Sequence, residues 1–80
     1  MQNTHNFLIE SDATRHYLFL DGETIASFST LEAAEAAANR IASRAAPGAS
    51  LKFELDFKST LTDVEIRVAS LEWVSVAQHG

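Results

Sequence analysis

The stretch STLEAAEAAANRIASRAAPG, residues 29–48, decides the fold because every local signal in it points to a helix. Ser29 and Glu32 have the spacing of a capping box, in which each side chain accepts a hydrogen bond from the other residue's backbone N–H. Pro47 cannot continue a helix, so it marks the end. The sequence therefore predicts a helix from about residue 30 to residue 46.

The side of this helix that faces the core is predicted to be almost wholly alanine. Its members recur at helical spacing: Leu31, Ala34, Ala38, Ile41 and Ala45. Alanine fills little volume, so such a helix must approach a neighbour that supplies bulky side chains. The flanking segments hold the aromatic residues, which predicts that the helix lies on a β-sheet.

The segment before the helix, residues 16–28, predicts a β-hairpin. Asp21-Gly22 is a preferred two-residue type I′ turn, because both central positions require a positive φ. This turn pairs Leu20 with Glu23, Leu18 with Ile25, and Tyr17 with Ala26. A short strand over residues 7–10 precedes the hairpin.

A second hairpin follows the helix, in LKFELDFK (residues 51–58) and DVEIRV (residues 63–68), around a loop at residues 59–62. Strict alternation puts the apolar half of its first strand in the core: Leu51, Phe53, Leu55 and Phe57. On that side the loop pairs Phe57 with Val64, Leu55 with Ile66, and Phe53 with Val68. On the other side it pairs Lys58 with Asp63, Asp56 with Glu65, and Glu54 with Arg67.

The apolar alternation breaks near Ala69, where Leu71 and Trp73 fall out of phase with the residues before them. Either a β-bulge restores the phase or a separate short strand runs through Val76. In both cases the elements follow the order βββ-α-ββ. We predict a single small α+β domain over residues 1–80, with an antiparallel sheet and one alanine-rich helix packed across one face.

The composition restricts the classes of function that this chain can have. Eleven Asp and Glu residues against six Lys and Arg residues give a formal net charge of −5, which opposes direct nucleic-acid binding because that requires clustered cations. There is no cysteine, which fits a reducing cytoplasm. No apolar run approaches the ~20 residues of a transmembrane helix, and the amino terminus lacks the pattern of a signal peptide. We therefore expect an acidic cytoplasmic protein that binds neither nucleic acid nor a membrane.

A search for catalytic or ligand-binding patterns finds none. His5, His16 and His79 are scattered, so they form no pair that would place two metal ligands on one helix face. No serine lies in a G-x-S-x-G elbow, and the glycines are isolated, so no loop is built to hold a phosphate. Asp56 and Glu65 are predicted to face each other, but on an open sheet face with cations beside them. We expect no metal, no cofactor and no enzyme activity.

The first hairpin has two unlike faces, and only one of them can lie under the helix. Tyr17, Phe19 and Phe28 share an aromatic face, which complements an alanine helix and is therefore assigned to the core. That leaves aliphatic side chains exposed beside the charged row of the second hairpin. The predicted partner-binding residues are Leu18, Leu20, Ile25, Glu54, Asp56 and Glu65. The alternative is that Val74 and Val76, or the amino-terminal segment, fold over and cover this surface.

Two classes of function remain open. The first is a binding module that occupies a site on a larger protein or ribonucleoprotein complex, docking on a basic surface. The second is a dimeric structural or regulatory subunit in which the apolar patch is a self-association seam. Charge reversal at Glu54 and Asp56 separates them, since it abolishes binding to a basic partner but barely affects an aliphatic seam at Leu18 and Ile25.

The stretch YLFLDGETIASFSTLEAAEAAANRIAS, residues 17–43, runs from hairpin into helix within a short, acidic, cysteine-free chain. In this layout the chain resembles small phage-encoded accessory proteins, and among these the anti-CRISPR inhibitors. The resemblance covers that segment and carries no diagnostic motif, so it assigns no functional residue. It implies a stoichiometric inhibitor that binds a subunit of a CRISPR effector. The net charge of −5 fits such docking better than mimicry of DNA.

Overall fold

The computed structural model describes residues 2–59 and 64–74 and has the predicted α+β architecture. The elements are β1 (Gln2–Ser11), β2 (His16–Leu20), β3 (Glu23–Phe28), α1 (Leu31–Ala45), β4 (Glu54–Ser59) and β5 (Val64–Val74). The strands form one antiparallel sheet in the order β3-β2-β1-β5-β4. β1 therefore lies at the centre of the sheet, and β3 and β4 are its edges.

The helix confirms the predicted span to within a residue, but its N-cap differs from the prediction. Thr30 caps the helix, and its side-chain hydroxyl accepts a hydrogen bond from the Ala33 N–H at 3.2 Å. Glu32 then lies in the first turn, where a carboxylate favours the positive end of the helix dipole. The predicted capping box of Ser29 and Glu32 is therefore wrong, while the helix ends before Pro47 as predicted.

The core lies between α1 and one face of the sheet. Its fully buried members are Ala34, Ala38 and Ala42 on the helix and Phe7, Ile9 and Leu18 on the sheet. Small residues on the helix thus meet large ones on the strands, as the alanine stripe predicts. The buried side of the helix differs slightly from the predicted one, since Ala42 is buried and Ala45, which was predicted to face the core, is exposed. The helix lies against β1, β2, β3 and β5 and makes no contact with the described part of β4.

The first hairpin has the predicted turn but a different register beyond it. Asp21 has φ 51° and Gly22 has φ 88°, as a type I′ turn requires. Leu20 pairs with Glu23 as predicted, but the register then shifts, so Ile25 has no partner on β2. The observed pairs are Leu18 with Ala26 and Tyr17 with Ser27, in place of Leu18 with Ile25 and Tyr17 with Ala26.

The second hairpin also departs from its predicted register. β4 begins at Glu54, and a β-bulge at Asp56 shifts the pairing within the strand. The observed pairs are Glu54 with Val68, Leu55 with Arg67, Phe57 with Ile66, Lys58 with Glu65, and Ser59 with Val64. None of these was predicted, and Asp63, the predicted partner of Lys58, lies outside the described residues.

The bulge decides which residues of this segment reach the core. Arg67 and Ile66 are neighbours on β5, so their partners Leu55 and Phe57 lie on opposite faces of the sheet. Both are half exposed, at 49% and 51%, and the prediction that they lie in the core is wrong. The prediction is confirmed for Leu51, which is buried, and for Phe53, which packs against the core.

β5 is one unbroken strand whose apolar side chains change face halfway. It pairs with β1 residue for residue from Glu65 to Val74, so neither the predicted β-bulge nor a separate strand occurs in that range. Ala69, Leu71 and Trp73 pack against the core, whereas Val64, Ile66 and Val68 alternate with them and lie on the other face. Val76 lies outside the described residues. The broken alternation is therefore a change of face within a regular strand.

Candidate interaction face

The face of the sheet opposite α1, the helix-free face, carries apolar side chains in two rows that run across the strands. The first row is Phe19, Leu8 and Val68, on β2, β1 and β5. The second row is Tyr17, Glu10, Ile66 and Phe57, on β2, β1, β5 and β4. Directly opposite Cβ atoms in an antiparallel sheet lie about 5 Å apart, so neighbours within a row touch. These seven residues form one continuous surface, the apolar strip, with a single carboxylate inside it.

Alternation along the central strands places this strip. Leu8 lies between Phe7 and Ile9, which are both fully buried under the helix, and therefore points the other way. In the same manner Tyr17 and Phe19 flank the buried Leu18. The apolar residues of the first half of β5 then extend the strip towards the β4 edge.

The apolar strip has no covering layer in the described part of the chain. None of the described residues on the helix-free face is buried, whereas Phe7, Ile9 and Leu18 on the opposite face are wholly inaccessible. Phe57 is 51% exposed, and the other apolar members are shielded in part by their neighbours in the sheet. Apolar side chains that span four strands without a second layer are typical of an interaction surface.

The charges at the described strand positions of this face are all negative. They belong to Glu10, Glu54 and Glu72, and all three side chains are exposed. Glu10 lies within the second row, between Tyr17 and Ile66. Glu54 pairs with Val68 and therefore lies on β4 at the end of the first row. A partner that covers the apolar strip must therefore also satisfy two carboxylates.

Two cations lie at the margins of this face. Arg15, in the loop between β1 and β2, donates a hydrogen bond from Nη2 to the Ser27 hydroxyl at 2.9 Å, at the β3 edge. Lys52, just before β4, lines a cleft at the β4 end of this face. Neither occupies a strand position within the apolar strip.

A cleft of about 450 Å³ opens on the helix-free face where β4 begins and β5 continues past it. Both polar and apolar residues line it, among them Asn6, Leu8, Lys52, Glu54, Val68 and Ser70. Glu54 is the first residue of β4 and pairs with Val68, so in the described sheet β5 has no strand beside it on that side beyond this point. The cleft gives the flat strip a concave end with a carboxylate at its edge.

The aliphatic residues predicted to bind a partner lie elsewhere. Leu18 is fully buried and Leu20 packs against the core, so the prediction that they are exposed is wrong. The helix lies on the aliphatic face of the first hairpin, because Leu18 continues the surface made by Phe7 and Ile9. Ile25 is 43% exposed, at the bulge of the edge strand β3.

The acidic residues predicted to form a row are separated by the structure. Glu54 lies on the helix-free face and Asp56 sits at the bulge of β4, where it is exposed. Glu65 lies on the helix side, 3.5 Å from Lys58 Nζ and 3.3 Å from Arg67 Nη2. The predicted pairing of Asp56 with Glu65 is therefore wrong, since Lys58 takes that position. Of the predicted site, Glu54 alone belongs to the helix-free face.

A polar cluster at the end of β1 has no counterpart in the sequence predictions. The Ser11 hydroxyl and His16 Nδ1 lie 2.6 Å apart across β1 and β2, and Ser11 is 5% exposed. Asp12 accepts hydrogen bonds from the backbone N–H groups of Thr14 and Arg15, which hold the pKa of its carboxyl below its usual range. These hydrogen bonds stabilise the connection between β1 and β2. They do not form a catalytic triad, because Ser11 is buried and the Asp12 carboxylate is bound by backbone N–H groups of its own loop.

Comparison with known proteins returns no match, whether to protein-family models, to curated proteins or to solved structures. Within the described residues, no helix combines the length and apolar character needed to cross a membrane. In that same part of the chain, no group of three or more His, Cys, Asp or Glu side chains is placed to hold a metal ion.

Proposed function

We propose that this chain is a small non-catalytic protein-binding module that docks on a larger cytoplasmic complex through its helix-free face. The observation that carries the proposal is the apolar strip, which crosses four strands and is covered by none of the residues that the structure describes. Full burial of one large apolar side chain contributes about 1.5–3 kcal/mol, so covering several of them provides a strong driving force for association.

The composition of the strip supports binding to a protein. Tyr17, Phe19 and Phe57 are aromatic, and aromatic residues are enriched at the centres of protein interfaces. Tyr17 and Phe19 stand on β2, which α1 packs against from the other side, so we expect little ordering entropy to be lost there on binding. The resemblance of residues 17–43 to anti-CRISPR inhibitors is our ground for proposing a stoichiometric inhibitor, with a CRISPR effector subunit as the partner.

A second candidate is a dimer in which the helix-free faces of two copies pack together. The same apolar strip favours it, since two sheets can stack face to face at about 10 Å. The position of Glu10 within the strip opposes it, because stacking would bury a carboxylate from each copy. We therefore rank the dimer behind the heterologous complex.

The test compares one face with the other. Phe19→Ser and Ile66→Ser each remove apolar area from the strip, and Ala36→Ser makes an exposed change on the opposite side of the molecule. Binding is measured by interferometry against a panel of purified CRISPR effector complexes, with circular dichroism as the check on folding. We expect one complex to bind at a 1:1 ratio, with at least about tenfold weaker binding for the strip variants and no change for Ala36→Ser.

Two outcomes contradict the proposal. If a complex binds but the strip variants bind as tightly as the parent chain, the helix-free face is not the docking surface. If sedimentation equilibrium shows a dimer that dissociates on Phe19→Ser, the second candidate replaces the first.

A further inference from the structure

We propose that the helix-free face binds a basic amphipathic helix of about three turns presented by the partner, lying across the strands. This inference rests on the proposed function, and it specifies the chemistry of the segment that the apolar strip accepts.

The shape of the strip favours a helix over a flat surface. Its second row crosses four neighbouring strands, which at about 4.8 Å per strand gives a length of about 14 Å. The two rows are two residues apart along each strand, about 7 Å. Three turns of helix span about 16 Å, and the apolar stripe of such a helix is one or two side chains wide. A helix of that length therefore covers the strip with little overhang.

The two edge strands, β3 and β4, are poor sites for the addition of a strand from a partner. An extended segment could add to β3 or β4, but each of these edge strands carries a register irregularity, at Ile25 and at Asp56. Bulges disturb the regular row of N–H and C=O groups that strand addition needs, and they are a common protection of sheet edges. Packing against the face is therefore the mode of binding that we propose, in preference to strand addition at β3 or β4.

The charge on the strip requires a basic partner. Covering the strip removes Glu10 from water, and leaving a carboxylate unpaired in an apolar contact strongly opposes binding. A Lys or Arg on the docking helix meets this requirement, and an Arg can also stack on the adjacent Tyr17 ring. Glu54, at the edge of the cleft, offers a second position for a cation.

A second copy of this chain supplies neither the shape nor the charge. Its helix-free face would bring the same carboxylates, Glu10 and Glu54, towards those of the first copy. The helix α1 of the second copy could not take the place of the docking helix, because its apolar side is already packed against its own sheet. Charge complementarity therefore selects a partner of a different kind.

The test uses two defined peptide probes of 14 residues with identical apolar positions. One carries Leu and Lys, and the other carries Leu and Glu. Each is labelled with fluorescein, and binding to the full chain is followed by anisotropy, with the contact surface mapped by amide chemical shifts. We expect the Lys peptide to bind and to shift Leu8, Phe19 and Val68, while the Glu peptide does not bind.

Matched charge removals separate docking from general attraction to an acidic protein. Glu10→Gln keeps the size of the side chain inside the strip, and Glu32→Gln removes the same charge from the exposed side of α1. We expect about tenfold weaker binding of the Lys peptide for Glu10→Gln, as for the loss of one desolvated charge pair, and less than about twofold for Glu32→Gln.

Equal losses for the two variants, shifts confined to the α1 side, or equal binding of the Glu peptide overturn the inference. Failure of this inference is distinguishable from failure of the proposed function. If Phe19→Ser weakens binding to a partner complex but the Lys peptide does not bind the parent chain, the face is a docking surface for another kind of segment. If Phe19→Ser changes neither measurement, both proposals are wrong.

Discussion

His5 stacks on Trp73 with ring centroids 3.7 Å apart and ring planes 9° from parallel. Nδ1 of the same imidazole lies 2.7 Å from Oδ2 of Asp21. Asp21 also accepts a hydrogen bond from the Asn6 N–H at 2.8 Å, and its own N–H donates to the Asn6 carbonyl at 2.8 Å. These contacts connect β1, the β2–β3 turn and β5 at one end of the sheet. One aspartate in a turn thus holds together segments that are far apart in sequence.

Asp21→Asn is expected to lower the free energy of unfolding at neutral pH, by less than about 1 kcal/mol because the side chain is partly exposed. The Asn6 N–H first, and His5 second, hold the pKa of the Asp21 carboxyl below its usual value of 3.8. A depressed folded-state pKa gives stability that is present above pH 3.8 and is lost as the pH falls through the folded-state value.

Urea denaturation at pH 7 and at about pH 2.5 measures this effect. Asparagine tolerates a positive φ in a type I′ turn, so the variant changes the charge and leaves the turn conformation available. We expect the difference between the parent chain and Asp21→Asn to shrink at low pH. A difference that is the same at both pH values would show that the charge is irrelevant to stability.

Leu18→Ala is expected to destabilise the fold by about 2–5 kcal/mol, because it removes a fully buried side chain from the centre of the core. Ile25→Ala is the matched control, since this residue is 43% exposed at a bulge, and it should cost less than about 1 kcal/mol. Chemical denaturation of both variants gives the comparison. Equal losses would contradict the burial of Leu18 beneath α1 and the exposure of Ile25.

Ala38→Leu is expected to destabilise by about 1–3 kcal/mol, because Ala38 of α1 is fully buried in the core and a larger side chain there would overpack it. Ala36→Leu places the same side chain on the exposed side of the same helix, where helix propensity changes little. Thermal unfolding of the two variants separates packing from propensity. If Ala36→Leu is the more harmful change, the helix does not approach the sheet as closely as the alanine stripe indicates.

Gly22→Ala is expected to cost about 1–2 kcal/mol through the backbone alone. Gly22 has φ 88°, and a Cβ atom at that position would meet no atom within 4 Å, so steric contact is not the cause. Gly22→Asn should be milder, because asparagine adopts a left-handed conformation more readily than alanine. The order of the two midpoints in urea is the measurement, and a less stable Gly22→Asn would contradict the turn assignment.

The parts of the fold that were predicted correctly are those with local causes. The helix over Leu31–Ala45 follows from periodicity and from the proline after it, and the turn at Asp21 and Gly22 follows from the φ angles that it requires. The register beyond each turn was not predictable in this way. Bulges at Ile25 and Asp56 depend on how each strand meets its neighbours, and a single unpaired residue moves later side chains to the other face.

The partner-binding residues predicted from the sequence were assigned to the wrong face of the first hairpin for a related reason. Both faces of β2 are apolar, with Leu18 on one and Phe19 on the other, so the segment does not itself reveal which face lies under the helix. The choice is made by β1, whose buried Phe7 and Ile9 adjoin Leu18. The out-of-phase alternation of β5 was the available signal, since it shows apolar residues on both sides of one strand.

The apolar strip, which none of the described residues covers, also lowers the heat-capacity change of unfolding. Side chains already in contact with water in the native state add little to the heat-capacity change of unfolding, which for a domain of 80 residues is ordinarily about 1.0–1.2 kcal/mol/K. The isolated chain should therefore fall below that value and unfold along a flatter stability curve. A partner that covers Phe19, Leu8 and Val68 would show a negative heat-capacity change on binding, so calorimetry at two temperatures records whether the strip has been removed from water.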